Sequence, residues 1–240
     1  MSLYLLNPDN SHSPFPPVEE AEREPNGLLA LGGDLSPARL LNAYHHGIFP
    51  WYNQGQPIMW WSPDPRTVLF PERMRMNRSL RKAMRNRSYQ ISIDRAFNQV
   101  IRACAAPRPR EPGTWITHEM RLAYERLHRH GFAHSVEIWA DQQLIGGLYG
   151  VRLGCVFFGE SMFSRQRDSS KIALAQLTLH LQQLGGQLID CQIHSQHLIR
   201  LGAETIPRRH FSELLARWSY TPLHDHAEFG FDRRPLQLPD

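Results

Sequence analysis

The 240-residue chain has few cysteines and no long apolar run. Its three cysteines, Cys104, Cys155 and Cys191, are an odd number without the spacing of a disulfide framework, which favours a reducing compartment. No stretch approaches the roughly 18 consecutive apolar residues that a transmembrane helix needs. The first residues lack the basic cluster and apolar segment of a signal peptide. Together these absences predict a cytoplasmic protein.

Acidic residues are missing from one long segment, between Glu72 and Asp94. Every charged residue there is basic: Arg73, Arg75, Arg78, Arg81, Lys82, Arg85 and Arg87. The net charge of the whole chain is only +4, so the position of the positive charge matters more than its total. If the segment from Ser79 is helical, Leu80 and Met84 share an apolar face away from the basic residues. An ordinary solvated helix fits this pattern, but charge of one sign over this length favours a phosphate backbone as partner.

The order of secondary structure elements narrows the fold. A hydrophobic content of 41% with six tryptophans is enough for a core, and the length fits one large domain or two unequal ones. From about residue 135, alternating patterns predict three strands, the third ending at Gly159, and then a helix, a strand and a helix. This β-β-β-α-β-α order is similar to the core of N-acetyltransferases. Those enzymes bind the coenzyme A pyrophosphate at a glycine-rich turn, but residues 161–170, which we interpret as that turn, contain no glycine.

A carboxylate lies inside the apolar strand predicted at 188–193. Because strand side chains alternate between faces, Asp190 and Gln192 should share one face and Cys191 the other. A buried, ionised aspartate costs several kcal/mol unless a partner or a function compensates for it. Two interpretations remain open for Asp190. It is part of a functional site, or it is a structural aspartate that pairs with a nearby arginine or backbone N–H.

Two other chemistries around this strand are disfavoured. The alternation turns Cys191 away from Asp190, and a buried cysteine is usually a small apolar side chain, so we expect no thiol nucleophile. The spacing of Cys191, His194 and His197 suggests zinc only weakly, because the set crosses the strand end and lacks a fourth ligand.

Six longer motifs occur in order between about residues 15 and 215. They are EPNGLLALGGDLS at 24–36, GIFPW at 47–51, WWSPDPR at 60–66, GTWIT at 113–117, GESMFS at 159–164 and IDCQ at 189–192. In this order they resemble the leucyl/phenylalanyl-tRNA–protein transferase family. The resemblance implies an α+β fold with a small N-terminal α/β domain at 1–66. A GNAT-like (N-acetyltransferase-like) catalytic domain with a mixed, mostly antiparallel central sheet would follow at 67–240.

The same resemblance implies a bacterial cytoplasmic enzyme of the N-degron pathway. Such an enzyme moves Leu or Phe, and Met less efficiently, from aminoacyl-tRNA to proteins that begin with Arg or Lys. Aminoacyl-tRNA would be a co-substrate, no cofactor would be needed, and a monomer is expected. By resemblance, Asp190 and Gln192 are catalytic and orient and help deprotonate the attacking α-amine.

The resemblance also assigns the substrate contacts. Glu160 should pair with the cationic first residue of the acceptor protein, with a structural ion pair to Arg165 as the alternative. The pocket for the Leu or Phe side chain is expected to consist of Trp51, Trp115, Leu148, Phe157 and Leu174. Without the resemblance, Leu148, Phe157 and Leu174 would be assigned to the core, and only the tryptophans, which lie in Pro- and Gly-rich loops, would stand out. The tRNA phosphates are expected at Arg78, Arg81, Lys82 and Arg85.

Two other functions compete with this assignment. A coenzyme A-dependent N-acetyltransferase is disfavoured by the glycine-free turn, and a titration with acetyl-CoA would detect it. A non-catalytic RNA-binding module, in which Asp190 is structural, would bind tRNA without transferring its aminoacyl group.

Overall fold

The computed structural model describes residues 3–86, 89–107 and 114–223. Arg87 of the basic segment, Gly113 of the fourth motif and the tail from residue 224 onwards lie outside these ranges. Within the ranges, the strands form one sheet of four strands and one of seven.

The smaller sheet is built from the first part of the chain. Its strands are β1 (Tyr4–Leu6), β2 (Leu28–Gly32), β3 (Phe49–Pro50) and β4 (Met59–Trp61), in the order β1-β2-β4-β3. Helix α1 (Pro37–His45) connects β2 to β3. It begins as the sequence predicts, since the Ser36 side chain accepts the backbone N–H of Arg39 and a proline occupies the first turn.

The larger sheet supplies the second unit of the fold. Its strands are β5 (Arg66–Leu69), β6 (Gln90–Ile93), β7 (Ala133–Ala140), β8 (Gln143–Leu153), β9 (Val156–Ser164), β10 (Leu188–Gln192) and β11 (Glu204–Ile206). They follow the order β11-β5-β10-β9-β8-β7-β6. The β9–β10 pair is parallel and the other described neighbours are antiparallel. The α+β class with a mixed, mostly antiparallel central sheet is therefore confirmed.

Helices cover both faces of the larger sheet. They are α2 (Arg78–Asn86), α3 (Phe97–Ala105), α4 (His118–Arg129), α5 (Ser169–Leu184), α6 (Gln196–Arg200) and α7 (Arg208–Trp218). The order β7-β8-β9-α5-β10-α6 is the β-β-β-α-β-α order that the sequence predicts. In the part of the chain that the structure describes, no helix is both long and apolar enough to span a bilayer.

The two faces of the larger sheet contribute to different hydrophobic clusters. Neighbouring residues of β8 show the division, because Leu148 packs with residues of α2 and α5, whereas Tyr149 packs with residues of α1, α3 and α4. The face that carries α3 and α4 is thus also the face against which the N-terminal elements pack. Tyr44 of α1, for example, lies with its ring 5.0 Å from that of Phe158 of β9.

Strand β9 is longer than the sequence predicts. We expected it to end at Gly159 and residues 161–170 to form a turn, but the strand continues to Ser164. Strand β8 is the reason, since its pairing with β9 continues past a bulge at Glu160, opposite Tyr149 and Gly150, as far as Gly146 and Ser164. Our assignment of residues 161–164 to a turn was therefore wrong, and the connection to α5 is short.

The parallel pair β9–β10 separates after three paired positions. Leu188–Asp190 of β10 pairs with Val156–Phe158 of β9. Beyond them, β9 continues beside β8, whereas β10 has a register shift against β5 between Asp190 and Gln192. A cleft therefore opens between the two strands at Gly159, in the middle of the sheet.

Gly150 offers a test of this register. A Cβ at this position would lie 2.1 Å from the carbonyl oxygen of Phe158 and 2.4 Å from the Phe157 ring, so Gly150→Ala requires the backbone to move. Its register partner Gly159 has more room, with the nearest atom, the Asp190 carbonyl oxygen, 3.4 Å away. We expect Gly150→Ala to lower the free energy of unfolding by about 3 kcal/mol and Gly159→Ala to change it little. Chemical denaturation of both variants measures this, and equal midpoints would contradict the register.

Candidate active site

A cavity of about 590 Å³ opens where β9 and β10 stop pairing. This volume is within the range of small-molecule sites. Among its lining residues are all of those predicted from the sequence for catalysis and substrate binding: Trp51, Trp115, Leu148, Phe157, Glu160, Leu174, Asp190 and Gln192. Residues separated by more than a hundred positions in the chain therefore meet in one place.

The cavity has an apolar side and a polar side. Leu148, Phe157 and Leu174 belong to the hydrophobic cluster around α5 and form the apolar side. Trp51 follows β3 and is 41% exposed, and Trp115 precedes α4 and is partly buried. The polar groups come from β9 and β10 and lie next to the face of the sheet that carries α1 and α4.

Asp190 is fully buried and is held by an arginine. Arg66 of β5 donates from Nε to Oδ1 at 2.8 Å and from Nη2 to Oδ2 at 2.7 Å. The guanidinium of Arg66 lies over the rings of Phe49 and Phe211, 4.8 and 4.6 Å from their centroids. Its remaining nitrogen, Nη1, donates to the carbonyl oxygen of Gly47 at 3.0 Å. The pairing with an arginine, which the sequence left open, is therefore present.

The strand bends sharply just after Asp190. Gln192 adopts a left-handed backbone with φ of 62°, and its N–H donates to Oδ1 of Asp190 at 2.9 Å. A side chain that accepts the N–H two residues later is a recurrent way for aspartate to stabilise a turn. Both oxygens of Asp190 are thus engaged by protein donors, and one of these donors fixes the backbone of Gln192.

Gln192 connects this turn to the second carboxylate of the cavity. Its side-chain N–H donates to Oε1 of Glu160 at 2.8 Å, and its amide oxygen has no hydrogen-bond partner among the described residues. Cys191 packs instead with the cluster around α5, as the alternation predicts. Burial raises the pKa of the Cys191 thiol, as does the neighbouring Asp190 carboxylate, which keeps the thiol protonated.

Glu160 is surrounded by hydroxyl groups rather than by cations. Tyr44 donates to Oε1 at 2.8 Å and Tyr124 to Oε2 at 2.7 Å. Burial raises the pKa of Glu160 to about 7, against the opposing effect of the hydrogen bonds from Tyr124, Tyr44 and Gln192. The alternative partner Arg165 donates instead to the carbonyl oxygen of Leu144.

Sequence reasoning did not find the two tyrosines. Tyr44 lies on α1 and Tyr124 on α4, and both are fully buried. They are 80 positions apart and belong to ordinary amphipathic helix patterns, so no local signal distinguishes them from core residues. Their common contact with Glu160 is a property of the tertiary fold.

The histidines suggested weakly as zinc ligands line the cavity without forming a metal centre. His194 and His197 lie at its α6 side. No group of three or more His, Cys, Asp or Glu side chains within residues 3–86, 89–107 and 114–223 is arranged to hold a metal ion.

The basic segment forms a helix with the two faces that the sequence predicts. Leu80 and Met84 are buried and pack in the cluster around α5. The four predicted tRNA contacts, Arg78, Arg81, Lys82 and Arg85, are exposed. Because α5 also contributes Leu174 to the cavity, the basic surface and the apolar side of the cavity lie on the same face of the sheet.

Comparison with solved structures gives a weak likeness. A GCN5-related N-acetyltransferase from Kribbella flavida matches with a TM-score of 0.36 and 14% sequence identity. The match covers 72% of this chain and 61% of that chain.

Comparison of sequences gives a much closer likeness. A protein named leucyl/phenylalanyl-tRNA–protein transferase from Nitrosomonas eutropha is 58% identical over 92% of this chain and 94% of its own length. A protein of the same name from Pseudomonas fluorescens is 57% identical over 88% of this chain and 93% of its own. Family models described as leucyl/phenylalanyl-tRNA protein transferase and as its N-terminal domain match residues 68–216 and 33–64. The chain belongs to the leucyl/phenylalanyl-tRNA–protein transferase family.

Proposed function

We propose that the protein moves Leu or Phe, and Met less efficiently, from aminoacyl-tRNA to the N-terminus of proteins that begin with Arg or Lys. The broader activity, tRNA-dependent aminoacyl transfer to proteins by an enzyme, follows from family membership. The proposal includes a cytoplasmic monomer of the bacterial N-degron pathway that uses aminoacyl-tRNA as co-substrate and needs no cofactor. The observation that supports it best is a single cavity with an apolar side and a carboxylate–amide pair, Glu160 and Gln192.

The apolar side of the cavity suits the transferred side chain. An aminoacyl ester is already activated, so the enzyme mainly has to hold it against the attacking amine. Leu148, Phe157 and Leu174 present only hydrocarbon surface to a bound side chain, with Trp51 and Trp115 nearby. Such a pocket discriminates by only ~1–3 kcal/mol per methylene, which is consistent with use of Leu, Phe and Met.

Glu160 is the proposed contact for the acceptor protein. Among the described residues that line the cavity, it is a carboxylate with no basic side chain paired to it, whereas Asp190 is already neutralised by Arg66. A cationic first residue, Arg or Lys, would satisfy that charge. This contact would produce the proposed selection of basic N-termini.

Gln192 and Asp190 are proposed to orient the attacking amine. The amide oxygen of Gln192 is placed to accept an N–H of the α-amine, since its N–H side is fixed by Glu160. Asp190 acts through Gln192, whose backbone N–H it holds, because its own oxygens are engaged by Arg66. Of these two residues, Gln192 is therefore the one in direct contact with the amine.

The basic face of α2 is proposed to hold the phosphates of the tRNA. Arg78, Arg81, Lys82 and Arg85 point to solvent with no acidic residue in the surrounding sequence. Contacts with phosphates carry no base specificity, so this surface would position the acceptor stem while the cavity reads the amino acid.

Single-turnover transfer separates the roles of Gln192 and Asp190. With labelled Leu-tRNA and an Arg-initiated peptide, we expect Gln192→Ala to remain folded and to lose ~10²-fold in rate, because the amine is no longer oriented. Asp190→Ala should instead destabilise the fold by about 3–5 kcal/mol, because it leaves Arg66 buried without its partner. Thermal melts of both variants serve as the control. Undiminished transfer by Gln192→Ala would overturn the catalytic assignment.

The salt dependence of tRNA binding tests the basic face. Removing one phosphate-binding charge should flatten the plot of log affinity against log salt by about one unit. We therefore expect Arg78→Gln/Lys82→Gln to flatten the slope for Leu-tRNA by about one to two units. The control is Arg126→Gln/Arg129→Gln, which removes two exposed charges from α4 on the opposite face of the sheet. Equal slopes for the two double variants would exclude α2 from the tRNA interface.

A further inference from the structure

Three short oxygen–oxygen distances define a closed ring beside the cavity. The hydroxyl oxygens of Tyr44 and Tyr124 lie 2.6 Å apart. Tyr44 is also 2.8 Å from Oε1 of Glu160, and Tyr124 is 2.7 Å from Oε2. All three distances are those of O–H···O hydrogen bonds.

The ring has one proton too few when Glu160 is ionised. Each tyrosine hydroxyl carries one proton, and an ionised carboxylate carries none. Two protons cannot bridge three pairs of oxygens, so one pair then faces each other without a hydrogen between them. The N–H of Gln192 does not fill the gap, since it reaches Oε1 from outside the ring. A third proton on Glu160 completes it, with Glu160 donating to Tyr124, Tyr124 to Tyr44, and Tyr44 to Oε1.

We infer that the ring of Glu160, Tyr44 and Tyr124 accepts the proton of the incoming α-ammonium group, with Glu160 as the group that touches it. The inference rests on the proposed function and deepens it, because it makes Glu160 a proton acceptor as well as an anchor for the cationic N-terminus. The geometry favours this ring over Asp190, whose two oxygens are already engaged by N–H donors of Arg66 and Gln192. Glu160 lines the cavity, whereas both tyrosines are fully buried behind it.

The transfer reaction needs a group that can accept one proton, and the ring lacks one proton when Glu160 is ionised. The α-ammonium loses two protons on becoming an amide N–H. The first passes to Glu160, which leaves a neutral amine to attack the ester carbonyl carbon. The C–N bond forms, the bond between that carbon and the ribose oxygen breaks, and the second proton passes to the departing ribose oxygen. Glu160 then returns its proton to water.

The groups around Glu160 favour proton transfer from the α-ammonium to Glu160 near neutral pH. It faces Tyr44 of α1, Tyr124 of α4, Tyr149 of β8, and Asp190 of β10 with its partner Arg66. Burial, and secondarily the charge of Asp190, raises the pKa of Glu160 to about 7. A free α-amine has a pKa of about 8, so donor and acceptor are closely matched.

A melting experiment tests the proton count without any assay of transfer. In Glu160→Gln the amide N–H₂ can donate to Tyr124 permanently, which completes the ring at every pH. In the wild type, the raised pKa means that the folded state binds the proton more tightly than the unfolded state, so stability is lost as the pH rises from 4.5 to about 7. We therefore expect Glu160→Gln to melt several degrees above the wild type at pH 8.5, with the difference shrinking as the pH is lowered towards 4.5.

Glu137 provides a matched control. It is fully buried, and burial raises its pKa to about 7 as well. Its partners, however, are the hydroxyls of Ser92 and Ser135 and the N–H of Ala96, and each of them brings its own proton. An amide N–H₂ would require Ser92, which already accepts from Trp139, to reverse its hydroxyl, so Glu137→Gln should gain less than Glu160→Gln at pH 8.5. A Glu160→Gln variant that melts at or below the wild type at pH 8.5 would overturn the proton count.

The pH dependence of transfer tests the role of the ring in catalysis. With Leu-tRNA and an Arg-initiated peptide, Glu160→Gln should lose ~10²–10⁴-fold in single-turnover rate at pH 7. Most of that loss should disappear at pH 9, where solution itself deprotonates the amine, with ester hydrolysis measured in parallel. Glu137→Gln should transfer at the wild-type rate.

The possible results separate the inference from the proposed function. A loss that is equal at pH 7 and pH 9, or one confined to the KM for the peptide, would show that Glu160 only binds a cation and would overturn the inference. Failure of the wild type to transfer Leu would overturn the proposed function, and the melting experiment would still decide the proton count.

Discussion

The buried ion pair between Arg66 and Asp190 is the interaction on which the site depends. It joins β5 to β10, and through Gly47 and Phe49 it ties the N-terminal elements to the larger sheet. Removing two charges from water costs several kcal/mol each, and apolar side chains of similar volume often stabilise a fold as well or better. The ion pair is therefore better explained by its positioning of Gln192 than by a contribution to the stability of the fold. It holds the backbone N–H of Gln192 and so aims that side chain at the cavity.

The cavity itself follows from the way in which the central sheet separates. Strands β9 and β10 pair through three positions and then separate, because β9 remains paired with β8 while the turn at Gln192 changes the direction of β10. The apolar side of the cleft is the inner surface of the cluster around α5, and the polar side faces α1 and α4. One bound molecule can thus place hydrocarbon on one side and a reacting polar group on the other.

Local patterns in the sequence predict part of this arrangement. The amphipathic α2 and the strand order from residue 135 onwards follow from periodicity, and the buried carboxylate at Asp190 is visible from the alternation of its strand. The partner of Asp190 could not be identified, since Arg66 is 124 residues away and lies in a proline-rich segment. Tyr44 and Tyr124 could not be identified from the sequence either, because each fits the core pattern of its own helix. The extent of β9 was missed because its pairing with β8 continues past a bulge at Glu160.

The most direct test of the account is the double variant Arg66→Met/Asp190→Leu, compared with the wild type in thermal melts and in single-turnover transfer of Leu from Leu-tRNA to an Arg-initiated peptide. If the ion pair serves to position Gln192, the double variant should melt near or above the wild type, because both buried charges are gone together. Its transfer rate should nevertheless fall by ~10²-fold or more, since a reacting group displaced by about 1 Å loses that much. A folded double variant that transfers Leu at the wild-type rate would contradict the account.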